Sequence, residues 1–351
     1  MKKFLPVLLR KIQLICLLCL FPAFVFSQNM ATMNPALVKA LKEDPSSTRL
    51  VSLLVQGEPN AVQAAVKQLG GDLKYTVGNI AAIRIPFNKV KELAATKGIS
   101  RMEGLHGTGQ LMDERTLVNA NVTPVHSGFP PLTQSYDGTG VVMAVLDDGI
   151  DFLHPDFQNQ DGSTRVKYLW DQTYTTGGTT PEPYGYGQEW DAAAIDAGLC
   201  THLEPWYYYG HGSNVSGIAT GNGSAVNNFT GVAPGCDIIS IAVGMDENFL
   251  TNMVDATKYA FDKAAALGKP CVINASLGTY FGSHDGYDLP AQLIDELIAQ
   301  QNGRTFVCAA GNAGNIPFHL GYETAADSSF TWFKYNSAYG GIFYEWWIDK
   351  S

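Results

Sequence analysis

Three short segments carry side chains that could act on one another. VVMAVLDDGID (141–151) sets the carboxylate of Asp147 directly behind an apolar run. GHGSNVSGIATG (210–221) sets His211 between two glycines at the mouth of a helical pattern. TFVCAAGN (305–312) ends on Asn312, just past another apolar run. A carboxylate whose backbone is fixed by a strand can orient an imidazole, and an imidazole can move protons near neutral pH. An asparagine after a strand is, in isolation, a turn residue. A lone histidine is structural by default, which is how His106, His126, His202, His284 and His319 are read. No HExxH, paired CxxC or phosphate loop occurs, so zinc-peptidase and nucleotide chemistry have no support.

Something must hold these groups together. The runs VVMAVLD (141–147), DIISIAVG (237–244), CVINASLG (271–278) and TFVCAAGN (305–312) are continuously apolar, as parallel strands buried on both faces are. Between them, 251–268 has helical spacing with Thr251 as N-cap and Gly268 as stop, and 288–303 has Asp288 as its cap. Strand and helix alternating over this length predict an α/β fold with a doubly wound parallel sheet. Sites in such sheets form beyond the carboxyl ends of the strands. Asp147, Ser276-Leu277-Gly278 and Asn312 all fall at such ends.

Upstream, residues 50–105 show a β-α-β-β-α-β order with a hairpin dipeptide at Gly78-Asn79, a small ferredoxin-like α+β unit. Residues 28–49 are expected to be a loose lead-in, and 106–137, rich in polar residues, Gly and Pro, a connector. The α/β pattern occupies 138–320. Aromatic stretches flank Asn336–Gly341 and predict a hairpin that opens a β-rich region at 321–351.

At 46% hydrophobic and 16% charged, the 351 residues suit a globular protein, not a disordered one. The basic start MKKFLPVLLRK runs into the apolar IQLICLLCLFPAFVF, with small residues before Gln28. This reads as a signal peptide at 1–27, cleaved at Ser27–Gln28, and implies a secreted, periplasmic or cell-surface protein; the rival reading is an uncleaved anchor. The net charge of −10, more negative still without 1–27, argues against nucleic acid and anionic membranes as partners. Cys200, Cys236, Cys271 and Cys308 remain after the leader and do not form a disulfide framework; Cys271 and Cys308, each in an apolar strand-like run, are expected to be buried free thiols.

In this order the three segments resemble the Asp, His and Asn segments of the subtilisin-like serine proteases. The family pattern Asp-Ser/Thr-Gly appears as Asp147-Asp148-Gly149, and register favours Asp147 over Asp148. His-Gly-Thr-His-Val-Ala-Gly appears as His211-Gly212-Ser213-Asn214-Val215-Ser216-Gly217. The resemblance implies that Asp147 orients, that His211 is the base, and that Asn312 donates to the oxyanion, with Asn315 as the alternative. It further implies that Ser276-Leu277-Gly278 pairs with the substrate backbone and that Ala309, Ala310 and Gly311 form one wall of the S1 pocket. The 50–105 unit resembles the family's pro-domains, and 321–351 the start of a β-rich insertion. The family's Gly-Thr-Ser-Met-Ala run is absent, and no serine after Asn312 lies in a Gly-rich turn entering a helix. In the family that serine opens a helix buried against the central sheet. The expectation is therefore a secreted serine endopeptidase acting on proteins or peptides, represented by an N-terminal portion. Its rival is a pseudoprotease that binds peptides or a protease partner without cutting. No cofactor is required; calcium is common in the family, and no ligand set for it is legible.

Overall fold

The computed structural model describes residues 33–105, 110–111, 120–205, 208–314, 321, 330 and 332. The expected leader at 1–27, Asn315 and nearly all of the expected hairpin at 330–347 lie outside the described residues. Among the described residues no helix is long and apolar enough to cross a membrane.

A first helix, α1 (Pro35–Glu43), occupies what was expected to be a loose lead-in. Leu37 and Leu41, one turn apart, are both fully buried and give the segment a reason to be helical. Next come β1 (Leu50–Gly57), α2 (Pro59–Gln68), β2 (Asp72–Val77), β3 (Ile80–Pro86), α3 (Val90–Ala94) and β4 (Ile99–Glu103). The four strands form an antiparallel sheet in the order β2-β3-β1-β4. Both faces are buried, and side-chain alternation divides them. Val51, Leu53 and Val55 pack with Ile83 and Ile85 under α1, α2 and α3. Leu54, Tyr75, Val77, Ile80 and Ala82 point the other way, into the core of the larger body.

After β5 (Gln110–Leu111) and the short α4 (Val122–His126) the larger body begins. It contains β6 (Val142–Asp147), β7 (Val166–Asp171), β8 (Gln188–Asp191), α5 (Ala192–Asp196), α6 (His211–Thr220) and β9 (Asp237–Ala242). It continues through α7 (Phe249–Ala266), β10 (Cys271–Ala275), β11 (Leu277–Gly278), α8 (Leu289–Ala299) and β12 (Arg304–Cys308). Six strands form one sheet in the order β12-β10-β6-β9-β7-β8. The first five are parallel; β8 joins antiparallel at the edge. The doubly wound parallel sheet is thus present, with two strands, β7 and β8, that have no counterpart among the four apolar runs.

Helices α7 and α8 cover one face of this sheet and carry the small sheet on their outer side, so one core runs through Leu54, Tyr75, Tyr259, Phe261, Leu293 and Ile273. Asp288 caps α8 through its side chain, accepting from Ala291 N, as the pattern predicts. α7 starts at Phe249, before the expected cap at Thr251. The opposite face of the large sheet carries α6. Past α6 this face is open: a groove of about 290 Å³ is lined by Met143, Val215, Ile218, Val272, Asn274 and Val307, among others. Val307 is 50% exposed there.

A buried guanidinium ties the far end of α6 to the sheet. Arg165 donates to the carbonyls of Asp156 and Thr220 through Nη1, and to those of Pro234 and Cys236 through Nη2. The four described cysteines are free. Cys271 is buried as expected, Cys236 is buried too and Cys200 half-buried, but Cys308 is exposed. Its strand is the sheet's outermost, so an apolar run that reads as doubly covered is covered only in part.

Candidate active site

Asp147 is the last residue of β6, and His211 is the first of α6. Strand β6 lies in mid-sheet between β10 and β9, so the carboxylate is fixed by hydrogen bonding on both sides. His211 Nδ1 lies 2.7 Å from Asp147 Oδ1, with the aspartate side chain 1% exposed and the histidine 11%. The pair has the geometry of a carboxylate that fixes an imidazole tautomer: Nδ1–H donates, leaving Nε2 to exchange protons. Asp147, not Asp148, makes this contact.

The loop after Asp147 and the first turn of α6 are built against each other. Asp148 Oδ1 accepts the Gly212 N–H at 2.8 Å. Glu204 accepts the Ser213 N–H at 2.7 Å and the Ser213 hydroxyl at 2.6 Å. Ser213 Oγ in turn accepts the Asp151 N–H at 2.7 Å. Two carboxylates therefore satisfy N–H groups at the positive end of the helix dipole, which lacks a cap from Gly210 itself. A side chain at 212 would meet the Gly149 carbonyl at 2.1 Å, so the glycine after His211 is required by this close approach. Glu204 sits in an irregular stretch with no patterned neighbour, and no sequence signal marks it as part of the site.

Asp148 differs from its neighbour electrostatically. Burial, with the Asp147 carboxylate beside it, pushes the Asp148 carboxyl up to about 7, against the pull of the Gly212 N–H. Its Oδ2 is buried with no hydrogen-bond partner, which disfavours the ionised form. The unfolded chain loses this proton near 3.8, the unperturbed value, and the folded one near 7. Between those values the folded state holds the extra proton, so this group's contribution to stability falls as pH rises through the window. Asp148→Asn keeps an acceptor for Gly212 and removes the titration. Denaturant unfolding should show the variant gaining on the parent from about pH 5 to about pH 8. An equal difference at both pH values would remove Asp148 as the source.

Donor atoms of Asp147, Asp148 and His211 lie within 4.8 Å of one another. The Oδ1 of Asp147 is engaged by His211, and that of Asp148 by Gly212.

The remaining sequence candidates sit along the same carboxyl edge. Ala275, the last residue of β10, pairs with Leu146 beside it. Ser276 follows, and Leu277 and Gly278 form β11. Here the structure adds something the sequence pattern did not reveal. β5 pairs antiparallel with β11, Leu111 opposite Leu277 and Gln110 opposite Gly278. A piece of the expected connector therefore lies as an added strand on the edge at Leu277–Gly278. Ala310, Gly311 and Asn312 follow β12. Asn312 is exposed, and its backbone N–H donates to Tyr280 Oη at 3.3 Å.

The model for the subtilase family matches residues 138–338. Subtilisin from Bacillus sp. (strain TA39) is 30% identical over 198 residues, 55% of this chain and 39% of that protein. The PII-type proteinase of Lacticaseibacillus paracasei is 26% identical over 72% of this chain and 13% of its own length. The minor extracellular protease Vpr of Bacillus subtilis is 23% identical over 79% of this chain and 32% of its own length. The chain thus spans less than half of these relatives. Among solved structures, the CspB protease of Clostridium perfringens is 27% identical over 55% of this chain and 39% of its own, with a TM-score of 0.44.

Proposed function

This chain belongs to the subtilase family of serine peptidases, and we propose that it is part of a secreted endopeptidase that cuts proteins or peptides by acyl transfer. Asp147 holds the imidazole, and His211 takes the proton from a serine and returns it to the leaving amine. Asn312 donates to the oxyanion, and Ser276–Gly278 pairs with the substrate backbone while Ala310 and Gly311 line its side-chain pocket. The observation that carries this reading is the Asp147–His211 hydrogen bond of 2.7 Å, made by a buried carboxylate at a strand end.

The nucleophile is a serine outside these 351 residues. Ser213, the serine closest in sequence to His211, is committed to Glu204 and to the Asp151 N–H. The open groove beside α6 supports the same view, because a helix entering there from the nucleophile would cover Val307, Ile218 and Val272. The small sheet acts as a pro-domain: it shares a core with α7 and α8, and the β5 strand downstream of it lies on the edge at Leu277–Gly278.

A fluorophosphonate probe tests the assignment. The 351-residue chain should take no label, whereas the protein continued through its downstream reading frame should take label on a serine and lose it in His211→Ala. Stoichiometric labelling of a serine within the 351 residues would overturn the placement of the nucleophile. Absence of label in the continued protein would overturn the peptidase reading itself.

A further inference from the structure

A second buried histidine–carboxylate pair stands behind the first. His202 Nδ1 lies 2.6 Å from Asp171 Oδ2, and the two side chains are 0% and 3% exposed. Asp171, at the end of β7, accepts from Thr173 N at 2.8 Å and from Thr173 Oγ1 at 2.6 Å through its other oxygen. All its partners are donors, so the proton between Asp171 and His202 belongs to the ring. On the far side of that ring, the Ile150 N–H points at Nε2 from 3.3 Å. A backbone N–H can only donate, so Nε2 must be bare. The two contacts admit one state: a neutral imidazole, protonated on Nδ1.

Ile150 is three residues past Asp147. Between them, Gly149 passes so close to the ring that a Cβ would sit 2.6 Å from Nε2. On one side of Ile150, Asp148 receives the Gly212 N–H; on the other, the Asp151 N–H reaches Ser213 Oγ. The loop thus meets the first turn of α6 at both flanks of the residue that His202 holds.

We propose that His202, with Asp171 behind it, is a positioning residue: its bare Nε2 anchors the Ile150 N–H, and the anchored loop fixes the register of His211 against Asp147. The inference rests on the peptidase reading for its significance, not for its geometry. Removing the acceptor would leave a buried N–H unpaired and let the loop shift, and a shift of this kind near a reacting pair costs about 10²-fold in rate.

The test uses the 351-residue chain with ¹⁵N-labelled histidine and long-range ¹H–¹⁵N correlation spectra. His202 should appear protonated on Nδ1 and bare on Nε2, and His211 should show a strongly downfield Nδ1–H held by Asp147. In His202→Gln, whose amide can both donate to Asp171 and accept from Ile150, the His211 signal should persist. In His202→Leu, of similar bulk with no acceptor, it should be lost or displaced upfield. An Nε2-protonated His202, or a His211 signal unchanged in the leucine variant, would overturn the proposal. Should the leucine variant fail to fold, the tautomer in the unaltered chain decides. In the protein carrying its serine, His202→Leu should lower kcat about 10²-fold and leave KM nearly unchanged. A correct tautomer in a protein that cuts nothing would sink the peptidase reading and leave the positioning intact.

Discussion

In a protein that carries the proposed serine, His211→Ala is expected to lower kcat on a peptide substrate by about 10⁴-fold or more, with KM within a few-fold of the parent. A positioned base alone contributes about 10²–10⁴. Here its loss also strands Asp147, whose buried carboxylate has Nδ1 of His211 at 2.7 Å and the Asp148 N–H at 2.9 Å. The members of such a unit act together, so removing one forfeits most of what all supply. The substrate contacts proposed along Leu277–Gly278 are untouched by the change, which is why KM should hold. Steady-state kinetics on a peptide amide measure both constants. A fall of less than tenfold in kcat would mean that His211 is not the base.

The second large effect concerns the hold between the small sheet and the larger body. Lys74 Nζ lies 2.7 Å from Asp255 Oδ2, and the side chains are 4% and 1% exposed. Tyr75 donates to the other oxygen at 2.5 Å, and Tyr186 donates to Oδ2 at 3.0 Å. Burial pushes both tyrosine hydroxyls well above their usual value, and the Asp255 charge adds to it, so both remain donors. Asp255, on α7, is therefore the hub that neutralises a lysine reaching across from β2. Asp255→Ala leaves that lysine buried without its counter-charge, a change that costs about 3–5 kcal/mol. The thermal midpoint of the 351-residue chain should fall by on the order of 10 °C. The paired variant Lys74→Met/Asp255→Leu should recover part of the loss: it removes the stranded charge, but the Tyr75 and Tyr186 hydroxyls still lose their acceptor. A single variant that loses under about 1 kcal/mol, or a pair worse than the single, would show that the hub does not hold the two bodies together.

The site's two central groups were legible in the sequence because each closes a pattern. Asp147 follows an unbroken apolar run, and His211 sits between glycines of which Gly212 is imposed by contact with Gly149. The parallel strands β6, β9 and β10 read clearly because both of their faces are buried. β7 did not, since VKYLWD mixes Lys167 and Tyr168 into its run, and both are only half-buried. β8 is four residues long, and its Gln188, Glu189 and Asp191 are of the kind that loops also carry. Strand β5 is two residues, below any periodicity; only its partner at Leu277–Gly278 makes it a strand. Cys308 misled because hydrophobicity records what a strand can be covered by, while exposure records what covers it. His202, Asp171 and Glu204 come from separate stretches and meet only in space. Their roles follow from hydrogen bonds between segments, which no local pattern encodes.

Arg165 has a consequence for how the site would tolerate brine. Its four acceptors are backbone carbonyls, including that of the last residue of α6, and not one is a carboxylate. Dissolved ions compete with and screen pairs of exposed charges, such as Arg49 with Glu247 at the edge of the small sheet. They have little purchase on a buried cation fastened to amide dipoles. As ionic strength rises, the outer attachments of the small sheet loosen first, while the helix that begins with His211 stays anchored at its far end.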